Sequence, residues 1–179
     1  MAKHILILST SPRRGGNSET LADAFLRGAE EAGHQVEKLC LYDQSIGFCK
    51  GCLACVQTHR CVIHDDTDRI AQKMRTADVL VFATPIYYYE MCGQMKTMLD
   101  RANPLYGSDY RFREIYMLST AAEDEEDVPQ RAENGLQGWI DCFPKARLSG
   151  TVFAGGVDAV GAIQGHPALK KAYEWGKSV

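Results

Sequence analysis

Short apolar segments alternate with longer amphipathic segments along the whole chain. Five short segments have the composition of strands, and they cover residues 4–8, 35–41, 79–83, 115–119 and 148–154. The first and third are almost entirely apolar, which is typical of strands buried on both faces of a sheet. Five longer segments repeat apolar residues at helical spacing and predict helices at 21–32, 65–75, 93–101, 128–143 and 167–176.

The alternation of strands and helices predicts the fold class. Strand–helix–strand units of this kind form a parallel sheet with helices on both faces, so we expect an α/β protein. In such sheets ligands bind beyond the carboxyl ends of the strands. No repeat or linker interrupts the pattern. We therefore expect a single domain over residues 1–179, with a cysteine-rich loop inserted at about 46–64 after the second strand.

Composition excludes several partners and compartments. The 179 residues carry a net charge of −3, which predicts no broad attraction to nucleic acid or to an anionic membrane. No apolar run reaches the length of about eighteen residues that a membrane-spanning helix needs. The first residues also lack the apolar core and cleavage site of a signal peptide. We expect a cytoplasmic protein, whose cysteines serve metal or redox chemistry rather than disulfides.

Four of the 7 cysteines fall within one short segment, with the spacing C-x2-C-x2-C-x5-C; they are Cys49, Cys52, Cys55 and Cys61. Residues three apart share one face of a local coil, so these sulfurs could converge on one centre. A [4Fe-4S] cluster suits the spacing better than zinc, which usually takes two separated pairs of ligands. A thiol redox switch and simple loop packing remain open. Cys40, Cys92 and Cys142 are isolated, and we expect all three to be buried.

A polar loop follows the first predicted strand and opens the first predicted helix. It offers backbone N–H groups at a helix start, the hydroxyls of Ser11, Ser18 and Thr20, and a nearby cation. The chain has neither G-x-G-x-x-G nor G-K-[ST], which argues against dinucleotides and nucleoside triphosphates and favours a phosphate monoester such as FMN. The alternative is an ordinary helix start capped by Asn17 or Ser18.

Three motifs in order resemble one known family. They are Ser11-Pro12-Arg13 with Asn17-Ser18, then Thr84-Pro85-Ile86-Tyr87, then Lys96 with Asp100-Arg101. Together they resemble the flavodoxin-like NADPH-dependent FMN reductase family. The cysteine motif followed by Asp65-Asp66 is similar to the iron–sulfur flavoprotein branch of that family. One departure is Thr10, where the family more often has glycine.

The resemblance implies a fold and an activity. The fold would be a three-layer flavodoxin-like sandwich around a five-stranded parallel sheet of order 2-1-3-4-5. The activity would be FMN-dependent oxidation of NAD(P)H with reduction of a small acceptor (a quinone, a flavin or a nitroaromatic compound), and the flavin rather than a side chain would carry the chemistry. An alternative is an electron carrier whose [4Fe-4S] cluster exchanges electrons with a ferredoxin-like protein; an FMN-binding sensor is a third. The resemblance also implies a homodimer or homotetramer.

The resemblance further implies which residues contact the cofactor. Ser11, Arg13, Asn17 and Ser18 would hold the FMN phosphate, with Thr20 as a further contributor. The turn at Pro85, Ile86, Tyr87 and Tyr88 would present backbone N–H groups to the polar edge of the flavin. The loop after the fourth strand would flank the flavin through Ser119, Thr120 and Ala121. We expect Asp100 and Arg101 to form a structural ion pair rather than a catalytic one.

Overall fold

The computed structural model describes all residues from 1 to 179 and contains a six-stranded sheet. The strands are β1 (His4–Ser9), β2 (Gln35–Cys40), β3 (Val79–Tyr87), β4 (Glu90–Met91), β5 (Glu114–Thr120) and β6 (Arg147–Ala154). The five long strands are parallel and lie in the order β2-β1-β3-β5-β6, which confirms the predicted order 2-1-3-4-5. The remaining strand, β4, was not predicted. It has two residues and pairs antiparallel with the end of β3.

Six α-helices accompany the sheet. They are α1 (Asn17–Glu31), α2 (Ala54–Thr58), α3 (Asp66–Thr76), α4 (Gly93–Arg101), α5 (Gln130–Ile140) and α6 (Pro167–Ser178). Five correspond to the predicted helices, whereas α2 is a single short turn inside the cysteine-rich loop. Helix α5 is shorter than predicted at both ends, and Pro129 occupies its N-cap position.

The sheet divides the core into two apolar layers, because successive side chains of a strand point to opposite faces. Ile5 and Ile7 of β1 belong to the layer under α1 and α6. Leu6 and Leu8 belong to the layer under α3, α4 and α5. All four side chains are almost completely buried. This arrangement is the α/β architecture that the alternation of strands and helices predicted, and the three-layer flavodoxin-like sandwich that the resemblance implied.

Helices α1 and α6 approach each other closely at two glycines. A Cβ atom on Gly28 would lie 2.0 Å from the carbonyl oxygen of Tyr173, and one on Gly176 would lie 2.1 Å from that of Phe25. No side chain larger than hydrogen fits at either position. The contact fixes α1, whose N-terminus faces the carboxyl edge of the sheet.

Thr10, directly after β1, is hydrogen-bonded to β3. Its N–H and its Oγ1 both donate to the carbonyl oxygen of Ala83, at 2.8 and 2.9 Å. The Cys92 thiol lies 3.2 Å from the same Oγ1, and the Cys92 N–H donates to Thr84 Oγ1 at 3.1 Å. The departure from glycine at position 10 therefore adds a buried polar link between the loops after β1 and β3.

No helix in the structure is both long enough and apolar enough to cross a bilayer.

Candidate functional site

A cavity of about 330 Å³ opens at the carboxyl ends of β1, β3, β5 and β6. We call it the strand-end cavity. Its wall is formed by Ser11, Arg13, Gly16, Asn17, Ser18, Pro85, Ile86, Tyr87, Tyr88, Tyr89, Thr120, Ala121, Ala122, Glu123, Val157, Asp158 and Val160. These residues come from four separate segments at the ends of the strands, which meet because parallel strands end at the same edge of the sheet.

Ten of the twelve residues that the resemblance assigned to FMN lie on this wall. The two others are Thr20 and Ser119. Thr20 lies one turn further along α1 and donates its hydroxyl to the Gly16 carbonyl at 3.1 Å. Ser119 lies within β5 and is 1% exposed. The sequence did not identify Gly16, Tyr89, Ala122 and Glu123 as wall residues, and it did not indicate the loop after β6 at all.

The start of α1 is buried at the wall of the cavity but has no side-chain cap. Gly16 occupies the N-cap position, and the N–H groups of Asn17 and Ser18 have no acceptor within the protein. Unpaired N–H groups at a helix start carry partial positive charge and bind anions. The capping alternative considered from the sequence, in which the Asn17 or Ser18 side chain closes the helix, does not occur. The helix start fits a phosphate group.

Asn17 has a structural role that the sequence did not indicate. Its side-chain amide donates to the carbonyl oxygens of Val157 (3.2 Å) and Ala159 (2.9 Å). Its Oδ1 accepts from the N–H groups of Gly161 (3.1 Å) and Ile163 (3.4 Å). The side chain therefore fastens the loop after β6 to the start of α1, and only the Asn17 backbone remains available to a ligand.

We expect Asn17→Ala to lower the free energy of unfolding by about 1–3 kcal/mol, because buried backbone groups lose their partners. Urea unfolding followed by circular dichroism measures the change. Asn134→Ala is a matched control, since Asn134 is exposed and contacts only Gln130 through its side chain. Equal losses in the two variants would show that the Asn17 bonds contribute nothing specific.

A polar cluster supports the loop from the side of β2. Glu19 accepts from the Gly15 N–H at 2.8 Å, from Lys38 Nζ at 3.1 Å and from the Tyr42 hydroxyl at 3.2 Å. Burial by itself raises the pKa of the Glu19 carboxyl, but the hydrogen bonds from Gly15, Lys38 and Cys40 outweigh burial and leave the pKa below its usual value. The ionised carboxylate holds Gly15 in its left-handed conformation, with φ of 60°. The turn that presents the helix start is thereby fixed.

The wall opposite α1 is the turn between β3 and β4. Ile86 pairs with Met91 and Tyr87 with Glu90, so the turn itself consists of Tyr88 and Tyr89. Pro85 has no backbone N–H and cannot donate to a ligand. Of the four predicted backbone donors, only Ile86, Tyr87 and Tyr88 remain.

The loops after β5 and β6 complete the cavity and touch each other. A Cβ atom on Gly155 would lie 2.7 Å from the carbonyl oxygen of Glu123, so only glycine permits this approach. The Val157 N–H donates to the Ala121 carbonyl at 2.8 Å. The Gly155-Gly156 pair directly after a predicted strand was the available sequence signal for this part of the wall.

A second cavity, of about 440 Å³, lies among the cysteines. We call it the cysteine cavity. Cys49, Cys52, Cys55 and Cys61 all line it, together with apolar side chains such as Leu99 and Trp139. No three His, Cys, Asp or Glu side chains in the structure converge closely enough to hold a metal ion. The four cysteines therefore share one cavity, but their sulfurs do not converge on one centre.

Three of these sulfurs each accept one hydrogen bond. Asn103 Nδ2 donates to Cys55 Sγ at 3.0 Å, the Gly51 N–H to Cys49 Sγ at 3.4 Å, and the Ile63 N–H to Cys61 Sγ at 3.5 Å. Such donors stabilise thiolates and tune iron–sulfur clusters. The chemistry of the donor set fits a cluster bound by thiolates within an apolar cavity.

Arg101 holds the base of the cysteine-rich loop. Its guanidinium makes two bonds to the Asp65 carboxylate, at 2.8 and 2.9 Å, and donates to the carbonyl oxygens of Gly47 and Ile63. The predicted ion pair between Asp100 and Arg101 is wrong, because consecutive helical residues point in different directions. Asp100 instead accepts from Lys96 at 2.6 Å.

The three isolated cysteines differ from one another. Cys92 is fully buried, as predicted, and Cys40 is half-buried. The prediction that Cys142 is buried is wrong: it follows the last turn of α5, is exposed, and lies on the wall of the cysteine cavity. Helical spacing beside Trp139 did not reveal that this face of α5 meets a cavity rather than the core.

Comparison with known proteins supports the architecture. The sequence model of the family described as NADPH-dependent FMN reductase matches residues 4–132. An iron–sulfur flavoprotein of Archaeoglobus fulgidus is 30% identical over 176 residues, covering 94% of this chain and 75% of that protein. An iron–sulfur flavoprotein of Methanosarcina thermophila is 27% identical, covering 90% of this chain and 82% of that protein. Among solved structures, an NAD(P)H:quinone oxidoreductase from Methanothermobacter marburgensis superposes with a TM-score of 0.77 at 19% identity, covering 99% and 96% of the two chains.

Proposed function

Because the chain belongs to the NADPH-dependent FMN reductase family and to its iron–sulfur flavoprotein branch, we propose that it binds FMN in the strand-end cavity and uses NAD(P)H to reduce a small acceptor. Quinones, free flavins and nitroaromatic compounds are the acceptor classes we expect. Bound FMN would supply the redox chemistry, by accepting a hydride from NAD(P)H and passing electrons onward.

The observation that carries this proposal is the buried, uncapped start of α1 at the wall of the strand-end cavity. The N–H groups of Asn17 and Ser18, with the hydroxyls of Ser11 and Ser18, would bind the phosphate of FMN. Arg13 lines the same wall and adds positive charge, although its guanidinium also donates to the Asp158 carbonyl at 3.1 Å. The donor set suits a phosphate monoester.

The remaining walls suit the flavin ring. The backbone N–H groups of Ile86, Tyr87 and Tyr88 would meet the polar edge of a bound ring, where reduction develops negative charge. Thr120 and Ala121 line the opposite wall and are nearly buried, so they would exclude water from one side. Because a bound flavin carries the redox chemistry in its own ring, the wall residues would serve to bind and orient the cofactor and its substrates.

The proposal is tested by loading the purified protein with FMN, measuring the bound stoichiometry, and following NADH and NADPH oxidation with menadione as acceptor. We expect one FMN per chain and acceptor-dependent oxidation of at least one nicotinamide. Failure to bind FMN after reconstitution would refute the proposal. Binding of FMN without any turnover would favour the sensor alternative.

The cysteine cavity favours a second candidate function, that of an electron carrier. Cys49, Cys52, Cys55 and Cys61 would hold a [4Fe-4S] cluster, and the Asn103 amide would stabilise the Cys55 thiolate. Electrons would then leave the protein singly, toward a ferredoxin-like partner. We expect protein purified without oxygen to contain about four iron and four sulfide per chain, with broad absorbance near 400 nm. Stoichiometric zinc, or no metal at all, would refute the cluster.

We also propose that the chain forms a homo-oligomer through its cysteine-rich loop. Phe48, Leu53 and Val62 on this loop are 81%, 65% and 53% exposed, and burial of these apolar side chains between subunits would favour assembly. Sedimentation velocity of the FMN-loaded protein measures the assembly. A monomer at 50–100 μM, roughly the range where weak dimers form, would contradict this proposal.

A further inference from the structure

The turn between β3 and β4 has an unusual conformation for its sequence. Tyr88 and Tyr89 both have positive φ, at 51° and 65°. A two-residue hairpin turn of this kind favours Asn-Gly, because left-handed backbone is unfavourable for residues with a Cβ atom. Two adjacent tyrosines therefore place backbone strain in one turn. Such strain is common where a conformation serves binding.

Burial of the two rings does little to offset this backbone strain. Tyr88 is 98% exposed and Tyr89 is 49% exposed. Both nevertheless lie on the wall of the strand-end cavity. The Arg131 guanidinium of α5 lies 5.8 Å from the centre of the Tyr89 ring and supports it from the helix side. Packing in the core therefore does not explain why tyrosines occupy these two positions. Both rings lie at the mouth of the cavity.

We propose that Tyr88 and Tyr89 form an aromatic lip that binds planar aromatic electron acceptors at the mouth of the strand-end cavity. This inference rests on the proposed FMN-dependent function and names its acceptor class. Exposed tyrosine rings bind flat π systems by stacking, with little loss of side-chain entropy. A compact inorganic acceptor such as ferricyanide gains nothing from stacking. The lip therefore selects quinone-like over non-aromatic acceptors.

The test compares the wild type with Tyr89→Gly and with Tyr88→Asn/Tyr89→Gly, which installs the favoured turn sequence. Removing the strain is expected to raise the melting temperature by about 3 °C, since glycine and asparagine accept positive φ. The efficiency kcat/KM for 1,4-naphthoquinone is expected to fall about tenfold relative to that for ferricyanide, mainly through KM. Tyr89→Phe keeps the ring and is expected to keep the ratio of the two efficiencies.

An equilibrium measurement removes turnover from the test. Naphthoquinone binding to the oxidised FMN-loaded protein, followed by quenching of flavin fluorescence, is expected to weaken about tenfold in the double variant. An unchanged ratio of efficiencies and an unchanged affinity, in variants that bind FMN at full stoichiometry, would overturn the lip while leaving the proposed function intact. A change of oligomeric state without a change in either quantity would also overturn it, and would assign the rings to an interface between copies. Absence of FMN binding in the wild type itself would instead be a failure of the proposed function.

Discussion

Ser18→Asp is expected to abolish FMN binding at micromolar concentration while leaving the protein folded. Ser18 lies in the first turn of α1, at the wall of the strand-end cavity, and is 2% exposed. A carboxylate there would occupy the unpaired N–H groups and repel the phosphate. Two unit charges 4 Å apart interact by about 4 kcal/mol near a protein surface, and the phosphate carries almost two charges. We therefore expect the FMN dissociation constant to rise at least 100-fold.

Riboflavin provides the internal control, because it carries the same ring without the phosphate. Its dissociation constant, measured by fluorescence titration, is expected to change by no more than about threefold in Ser18→Asp. Ser18→Ala removes only the hydroxyl and is expected to weaken FMN binding by about tenfold or less. Ser18→Asp should unfold near the wild-type temperature, since acidic residues are favourable in the first turn of a helix. Equal loss of FMN and riboflavin would show that Ser18 does not contact the phosphate.

Arg101→Met is expected to be the most destabilising of these substitutions, lowering the free energy of unfolding by about 3–5 kcal/mol. The Arg101 side chain is fully buried and that of Asp65 is 10% exposed, so removing the cation leaves an unpaired carboxylate in the interior. The carbonyl oxygens of Gly47 and Ile63 lose their donor as well. Denaturation in urea at pH 7 measures the loss.

Two further variants test the cause. Lys96→Met breaks the exposed ion pair with Asp100 on the same helix and is expected to cost less than about 0.5 kcal/mol. Arg101→Met/Asp65→Asn should recover part of the stability lost in Arg101→Met, because no charge remains unpaired. Asn at position 65 can still accept from the Thr67 N–H at the start of α3, as Asp65 does. A double variant no more stable than Arg101→Met would contradict the electrostatic explanation.

The same pair gives a pH dependence. Burial by itself raises the pKa of Asp65, but hydrogen bonds from Arg101, Gly47 and Thr67 outweigh it and hold the pKa well below its usual range. A carboxyl whose pKa is lower in the folded than in the unfolded state stabilises the fold above the unfolded value of about 3.9. This stability is lost as the pH falls toward the folded value. The difference in stability between wild type and Arg101→Met should therefore be smaller at pH 3 than at pH 7.

Local sequence was sufficient for the sheet and most of the helices. The segments around Ile5–Leu8 and Val79–Phe82 are apolar without interruption, and such strands are stable only when both faces are buried. Each of the five predicted helices carries an apolar stripe that must pack against that sheet. Short-range pattern could not show β4, because its two residues pair only through the turn at Tyr88 and Tyr89. Nor could it show α2, which has no buried residue.

The candidate site was also predicted only in part from the local sequence. The loops after β1 and β3 were found from the sequence because each contains a motif directly after a strand, whereas the loop after β5 was assigned only through the family resemblance. The loop after β6 was missed, since its contribution depends on Asn17, which lies 140 residues from Val157 along the chain. The pairing of Arg101 with Asp65 rather than Asp100 was missed for the same reason, because their separation along the chain is 36 residues.

The sequence by itself determined the α/β architecture, the helix start after β1 and the grouping of four cysteines in one loop, because each depends on residues close together in the chain. Only the tertiary structure decided that the helix start lacks a cap, that Cys142 joins the cysteine cavity and that Arg101 closes the cysteine-rich loop. These features depend on which distant backbone and side-chain groups the packing of α1, α4 and α5 brings within hydrogen-bond distance. Nothing in the neighbouring residues encodes that choice of partner.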